Sequence, residues 1–174
     1  MASRSLSQTA SQPIAIIGAT GTQGRSVLTA LLSTDHPIYA LTRSPTKLHD
    51  LALTHPKLSV IETDIADPGS LSLALVGVWA LFVNTLSDYT KPEGTEERLL
   101  RGIVDAAAEA GVEWLVMSTL PEGVPARAYE EKARAAAYAR EVAQKGRVKP
   151  IFVQVRLLLV IRKLWTEGFR WAGT

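Results

Sequence analysis

The stretch Ile14-Ala-Ile-Ile-Gly-Ala-Thr-Gly-Thr-Gln-Gly-Arg-Ser-Val27 sets Gly18, Gly21 and Gly24 three residues apart, directly after an apolar run and directly before a helical one. A strand that must turn at once into a helix needs residues without a Cβ, because the turn is tight and the helix packs closely on the strand. The rest of the chain repeats the theme: short apolar runs alternate with helical patterns almost without interruption, which is the signature of βαβ units and a parallel sheet. Strands are expected at Ile14–Ile17, Ile38–Thr42, Leu58–Thr63, Trp79–Asn84, Trp114–Ser118 and Ile151–Val155. Helices are expected near Gly24–Ser33, Pro45–Leu53, Ser70–Val76, Thr95–Ala110 and Arg127–Gln144. Right-handed crossovers then give an α/β fold, a doubly wound parallel sheet with helices on both faces in three α/β/α layers.

The fourth helix carries the period openly. Leu99, Ile103, Ala106, Ala107 and Ala110 fall on one stripe, Glu96 and Glu97 occupy the first turn, and Gly111 closes the helix. No internal repeat, low-complexity tract or long Pro/Gly/Ser linker divides the chain. The expected organisation is a flexible polar leader over residues 1–12, one domain over 13–160 and a short tail over 161–174.

Composition removes several classes of function. At 174 residues the chain is one domain long, enough to bury about 70% of its unfolded surface without staples. With no cysteine there is no disulfide, thiolate nucleophile or Cys-ligated zinc, and His36, His49 and His55 lack metal-ligand spacing and are assigned to the surface. A net charge of +2 is too small to track a phosphate backbone, so nucleic acid is not an expected partner. The apolar run Ile151–Ile161 is too short to span a bilayer and contains Arg156, so no membrane partner is expected either. The leader has no signal-peptide core, which makes the cytoplasm the expected location, or the nucleus for a regulator. No GxSxG elbow, P-loop lysine or facing carboxylate pair is present.

What remains is the glycine motif. Spaced GxxGxxG between strand and helix, it reads as a dinucleotide-binding pattern in which backbone N–H groups at the helix N-terminus meet a pyrophosphate, or else as glycines that only serve an ordinary tight loop. Gly18, Thr20, Gly21, Thr22, Gln23 and Gly24 form the candidate cradle. About 20 residues on, an NAD site wants a carboxylate for the ribose 2′-OH. This chain has Thr42-Arg43-Ser44 and no acid until Asp50, and a guanidinium there suits a 2′-phosphate, which favours NADP(H). Arg43 and Arg25 each either reach a phosphate or stand solvated at a helix end. Asp64, after the third strand, either approaches the adenine or caps the helix near Pro68. Asn84, Ser118 and Thr119, at carboxyl ends of strands, either line the nicotinamide crevice or cap the following turns.

On these residues the chain resembles the NmrA-like family of atypical short-chain dehydrogenase/reductase proteins. Gly18-Ala-Thr-Gly-Thr-Gln-Gly24 is similar to that family's GATGxQG signature, and Leu41-Thr42-Arg43 to its NADP-selective strand end. The segment Asp105-Ala-Ala-Ala-Glu-Ala-Gly-Val-Glu-Trp-Leu-Val-Met-Ser-Thr-Leu-Pro121 is similar to its AAKEAGVKHFVFSSLP segment. The resemblance runs from about Pro13 to about Arg156. It implies a Rossmann fold and one of two functions: a reductase acting on a small carbonyl or conjugated alkene, or a non-catalytic NADP(H) sensor that engages a regulatory protein partner.

In the wider superfamily a tyrosine donates a proton and a lysine four residues later holds the ribose. Here Tyr129 and Lys132 are three apart and Ala128 stands where the tyrosine would be, so YxxxK is absent. The resemblance implies Lys132 as the ribose-holding residue, Ser118 as the group that polarises the substrate and Tyr129 as a candidate proton donor. From the residues alone, Lys132 also reads as a surface lysine in the run Glu130-Glu131-Lys132, and Tyr129 as an ordinary amphipathic-helix residue. Family members continue into a substrate lobe, whereas this chain stops about 20 residues after the sixth strand. A partner or second copy would then complete the pocket, with Trp165 and Phe169 forming an apolar patch for a homodimer.

Overall fold

β1 (Ile14–Ile17), β2 (Ile38–Thr42), β3 (Leu58–Glu62), β4 (Ala80–Val83), β5 (Trp114–Thr119) and β6 (Lys149–Gln154) form one parallel sheet in the order β3-β2-β1-β4-β5-β6. The computed structural model describes residues 12–154. The leader, the boundary at residue 160 and the Trp165/Phe169 patch lie outside the described residues. Register is set at the amino ends, where Ile14 pairs with both Ile38 and Ala80, and Trp114 pairs with Ala80 and Lys149.

Alternation along the strands divides the core in two. Ile16, Ala40 and Phe82 point to the face covered by α1 (Thr22–Leu31), the 3₁₀ turn Pro45–Leu48 and α2 (His49–Thr54), where Leu28 and Leu48 are buried. Ala15, Ile17, Leu81, Val83, Leu115 and Met117 point to the other face. There α3 (Pro68–Ala74), α4 (Thr95–Glu109) and α5 (Arg127–Gln144) bury Leu71, Ile103, Val104, Ala107, Ala135 and Ala139. This is the doubly wound, three-layer Rossmann arrangement.

Several boundaries depart from the sequence reading for local reasons. The helix expected over Pro45–Leu53 is a 3₁₀ turn followed by a separate short helix. α3 begins at Pro68, earlier than expected, because the Asp67 carboxylate accepts the Gly69 and Ser70 N–H groups at 3.1 and 3.3 Å and the proline sits where no N–H is needed. β6 begins at Lys149 and includes Pro150, which an edge strand tolerates because one side of its backbone has no partner among the described residues. On α4 the buried residues are Glu96, Leu100, Ile103, Val104, Ala106 and Ala107, so Ile103, Ala106 and Ala107 are buried as expected, while Leu99 and Ala110 are half-buried. His36 and His55 are half-buried rather than on the surface: His36 stacks on Trp79 with ring centres 5.9 Å apart, and His55 Nδ1 bonds the Leu51 carbonyl at 2.9 Å. Among the described residues no helix is long and apolar enough to cross a membrane, and no group of His, Cys, Asp and Glu could hold a metal.

Candidate functional site

β1 and β4 are neighbours whose chains leave in opposite directions, so a crevice opens beyond their carboxyl ends. Gly18 leaves β1 with φ +86°, and a Cβ on it would stand 2.4 Å from the Asn84 carbonyl oxygen that follows β4. A Cβ on Gly24 would stand 2.1 Å from the Gly18 carbonyl oxygen. These two glycines are therefore demanded by backbone contact, one between strands and one between helix and turn. Gly21 differs: its φ is −86°, and a Cβ would meet only the Gly18 oxygen at 3.4 Å.

Gly21 is also the N-cap of α1, with no side-chain cap and no acid in the first turn. The N–H groups of Thr22, Gln23 and Gly24 have no acceptor among the described residues, since the first helical bond runs from Arg25 N–H to the Gly21 carbonyl at 2.8 Å. α3 and α4, in contrast, have carboxylates over their first turns. An uncapped helix end carrying partial positive charge, next to a glycine without a side chain, is a donor set that fits a pyrophosphate.

The flanking candidates are distributed as follows. Arg43 and Arg25 are exposed, and neither guanidinium has a partner among the described residues. The turn after β2 is fixed by Ser44 N–H donating to Thr42 Oγ1 at 3.0 Å. Asp64 is exposed and its Oδ1 accepts the Ala66 N–H at 3.0 Å; the capping of α3 belongs to Asp67 instead. Thr20, in the loop, and Thr22, the first residue of α1, are exposed. Ser118 and Thr119 are buried at the end of β5, and Ser118 Oγ donates to Gln23 Oε1 at 2.6 Å. That bond joins the glycine loop to a strand 95 residues away. Gly18, Gln23, Gly24, Asn84 and Ser118 are thus brought together by direct contact.

Lys132 is buried, not a surface lysine. Its Nζ donates to the Thr85 carbonyl at 3.1 Å, to Thr85 Oγ1 at 3.2 Å and to Glu96 Oε1 at 2.5 Å. Thr85 follows Asn84, so the ammonium stands beside the end of β4. Glu96, in the first turn of α4, is buried and also accepts from Thr85 Oγ1 at 2.5 Å and from Ser87 Oγ. Glu131, 1% exposed, caps α4 from outside: its carboxylate accepts the N–H groups of Gly94, Glu96 and Glu97 at 3.1, 2.8 and 3.2 Å. Arg127 Nε donates to the same carboxylate at 2.7 Å. Burial works to raise the Glu131 pKa, but the hydrogen bonds from Arg127 and the three N–H groups outweigh it and hold the carboxyl below its ordinary range.

Tyr129 is not joined to this network. It lines a groove of about 230 Å³ with Gly123, Val124, Pro125, Glu130 and Ala133, and its hydroxyl has no hydrogen-bond partner among the described residues. Ala128, four residues before Lys132, is buried. Thr85, Ser87, Glu96 and Glu131 are absent from the sequence-based candidates. A signal existed: Glu96 heads the apolar stripe of α4, and Glu131 and Lys132 lie on the alanine stripe of α5, so each had to find a partner in the interior.

The family model described as the NmrA-like family matches residues 10–147. The chain belongs to the NmrA-like family. NmrA-like relatives include the NmrA-like family domain-containing oxidoreductase FrzB of Cladobotryum sp, 36% identical over 150 residues, which cover 79% of this chain and 45% of FrzB. Among solved structures, the Citrobacter sp. triphenylmethane reductase complexed with NADP(H) superposes with a TM-score of 0.73 at 21% identity, over 90% of this chain and 54% of that one. NmrA, a negative transcriptional regulator in complex with NADP, gives 0.69 at 21%, over 82% and 44%. At such identities the structures establish the shared Rossmann fold. The NmrA-like chain described here spans less than half the length of the curated relatives it matches.

Proposed function

We propose that the chain binds NADP(H) across the carboxyl ends of β1, β2 and β4 and acts as an NADPH-dependent reductase of a small carbonyl or conjugated alkene. The observation that carries this reading is the uncapped first turn of α1 beside Gly21, with the Arg43 guanidinium, which has no partner among the described residues, at the neighbouring strand end. The oxidoreductase relatives and the NADP-bound structural neighbours support it. In this reading the N–H groups of Thr22, Gln23 and Gly24 take the pyrophosphate, Thr20 shapes the loop and Asp64 stands on the adenine side. Arg43 takes the 2′-phosphate, Arg25 adds positive charge, and Asn84 and Lys132 hold the nicotinamide ribose. Bound NADPH supplies the hydride. Ser118 meets the substrate oxygen by exchanging its Gln23 acceptor, and Tyr129 is the proton donor.

A second reading is a non-catalytic sensor that presents different surfaces with NADPH and NADP⁺ to a regulatory protein partner, in the cytoplasm or the nucleus. The missing YxxxK spacing and the separation of Tyr129 from the Lys132 network favour it. A small-molecule substrate belongs to the first reading, a protein partner to the second, and a homodimer through the Trp165/Phe169 patch is compatible with both.

Calorimetric titration tests the shared premise. NADPH is expected to bind at micromolar concentration, with NADH, or NADPH on Arg43→Ala, at least tenfold weaker (about 1.4 kcal/mol). Equal affinities would remove Arg43 from the site. Steady oxidation of NADPH with quinones or other conjugated carbonyls would then favour the reductase, and an unchanged rate in Tyr129→Phe would exclude Tyr129 as the donor.

A further inference from the structure

We infer that Glu96 is the positioning residue for Lys132, and that the Thr85 hydroxyl is a built-in stand-in for the ligand hydroxyl that Lys132 receives. The inference rests on the NADP(H) reading above. An ammonium has three N–H donors, and Lys132 has three acceptors within reach: the Thr85 carbonyl, the Thr85 hydroxyl and Glu96 Oε1. Every donor is engaged. A ribose hydroxyl can therefore be held only by replacing one of them, and the three are not equal. Glu96 is charged, buried and the shortest contact, and backbone holds the Thr85 carbonyl in place. The Thr85 hydroxyl is neutral, is the longest contact at 3.2 Å, and belongs to a half-buried residue at the crevice end of β4.

Replacement of the Thr85 contact leaves the remaining bonds intact. The Thr85 O–H donates to Glu96 Oε1 and does not need Lys132, while Glu96 Oε2 stays with Ser87. Glu96 thus keeps the ammonium compensated and at the end of β4 whether or not a ligand is present, and it does so from a buried position on α4. Removing its charge strands Lys132 in a buried position. A lysine on α5 with no acidic partner would instead turn toward water.

The test is a double-substitution cycle on NADPH affinity, read by titration, with thermal melting in parallel. Glu96→Gln and Lys132→Met are each expected to weaken NADPH binding about tenfold, and the double variant no further than Lys132→Met alone, because Glu96 acts through Lys132. Glu96→Asp keeps the charge and is expected to recover most of the affinity. Thr85→Val melts lower but binds NADPH at least as tightly as the unmodified chain, since the competing acceptor is gone. Additive weakening in the double variant, unchanged affinity in Glu96→Gln, or weaker binding by Thr85→Val overturns the inference while the NADP(H) reading stands. An unmodified chain that binds no NADPH removes the reading and this inference with it.

Discussion

At the residue scale the three glycines of one motif have separable roles. Gly24→Ala drives a methyl group to 2.1 Å from the Gly18 carbonyl oxygen, so helix and turn must separate; a loss of about 1–3 kcal/mol in urea unfolding is expected. Gly21→Ala meets nothing closer than 3.4 Å and needs no unusual φ. Its stability is expected to stay within about 0.5 kcal/mol of the unmodified chain, while nucleotide binding weakens because a side chain enters the cradle. Equal destabilisation of both variants would contradict this division. The motif was legible in the sequence because glycine spacing is a covalent fact. The bond between Ser118 and Gln23 was not, since both residues were candidates on separate grounds and nothing in a linear pattern pairs them.

Among the elements, α4 and α5 are coupled through charge as well as packing. Glu131 on α5 closes the N-terminus of α4, so Glu131→Ala leaves three N–H groups and the Nε of Arg127 without their acceptor, at a cost of about 3 kcal/mol. The sign of the pH effect follows from the lowered carboxyl pKa. The stabilisation is complete above the unfolded-state value of about 4.3 and is lost as pH falls through the still lower folded value. Melting temperatures of the unmodified chain and Glu131→Gln should therefore differ most near neutrality and converge toward pH 3; a constant gap would show that the charge is not what matters. The bounds of α5 match the sequence reading because eighteen residues of alanine-rich amphipathic pattern leave little ambiguity. On α4 Ile103, Ala106 and Ala107 are buried as the period requires, but Leu100 is buried where Leu99 was expected, since both are apolar and only the position of the neighbouring helix chooses between them.

For the molecule as a whole, ligand linkage gives a direct check: NADPH at about 100 times its dissociation constant adds roughly 2.7 kcal/mol to folding stability. For a chain of this size that is a rise in melting temperature of about 5–10 °C, and no rise at saturating NADPH would contradict the proposed site. The parallel, doubly wound sheet was legible from alternation and handedness alone. The buried polar network was not, because partners such as Thr85, Glu96 and Lys132 are joined only once the strand order is set. That order has a consequence in time. The glycine motif leaves the ribosome before β4 and β5, yet it rests on these two later arrivals, Asn84 against Gly18 and Ser118 against Gln23. Until β5 has been synthesised and has entered the sheet, the glycine loop is an unsupported segment, so a nucleotide cannot template the early half of its own domain during translation.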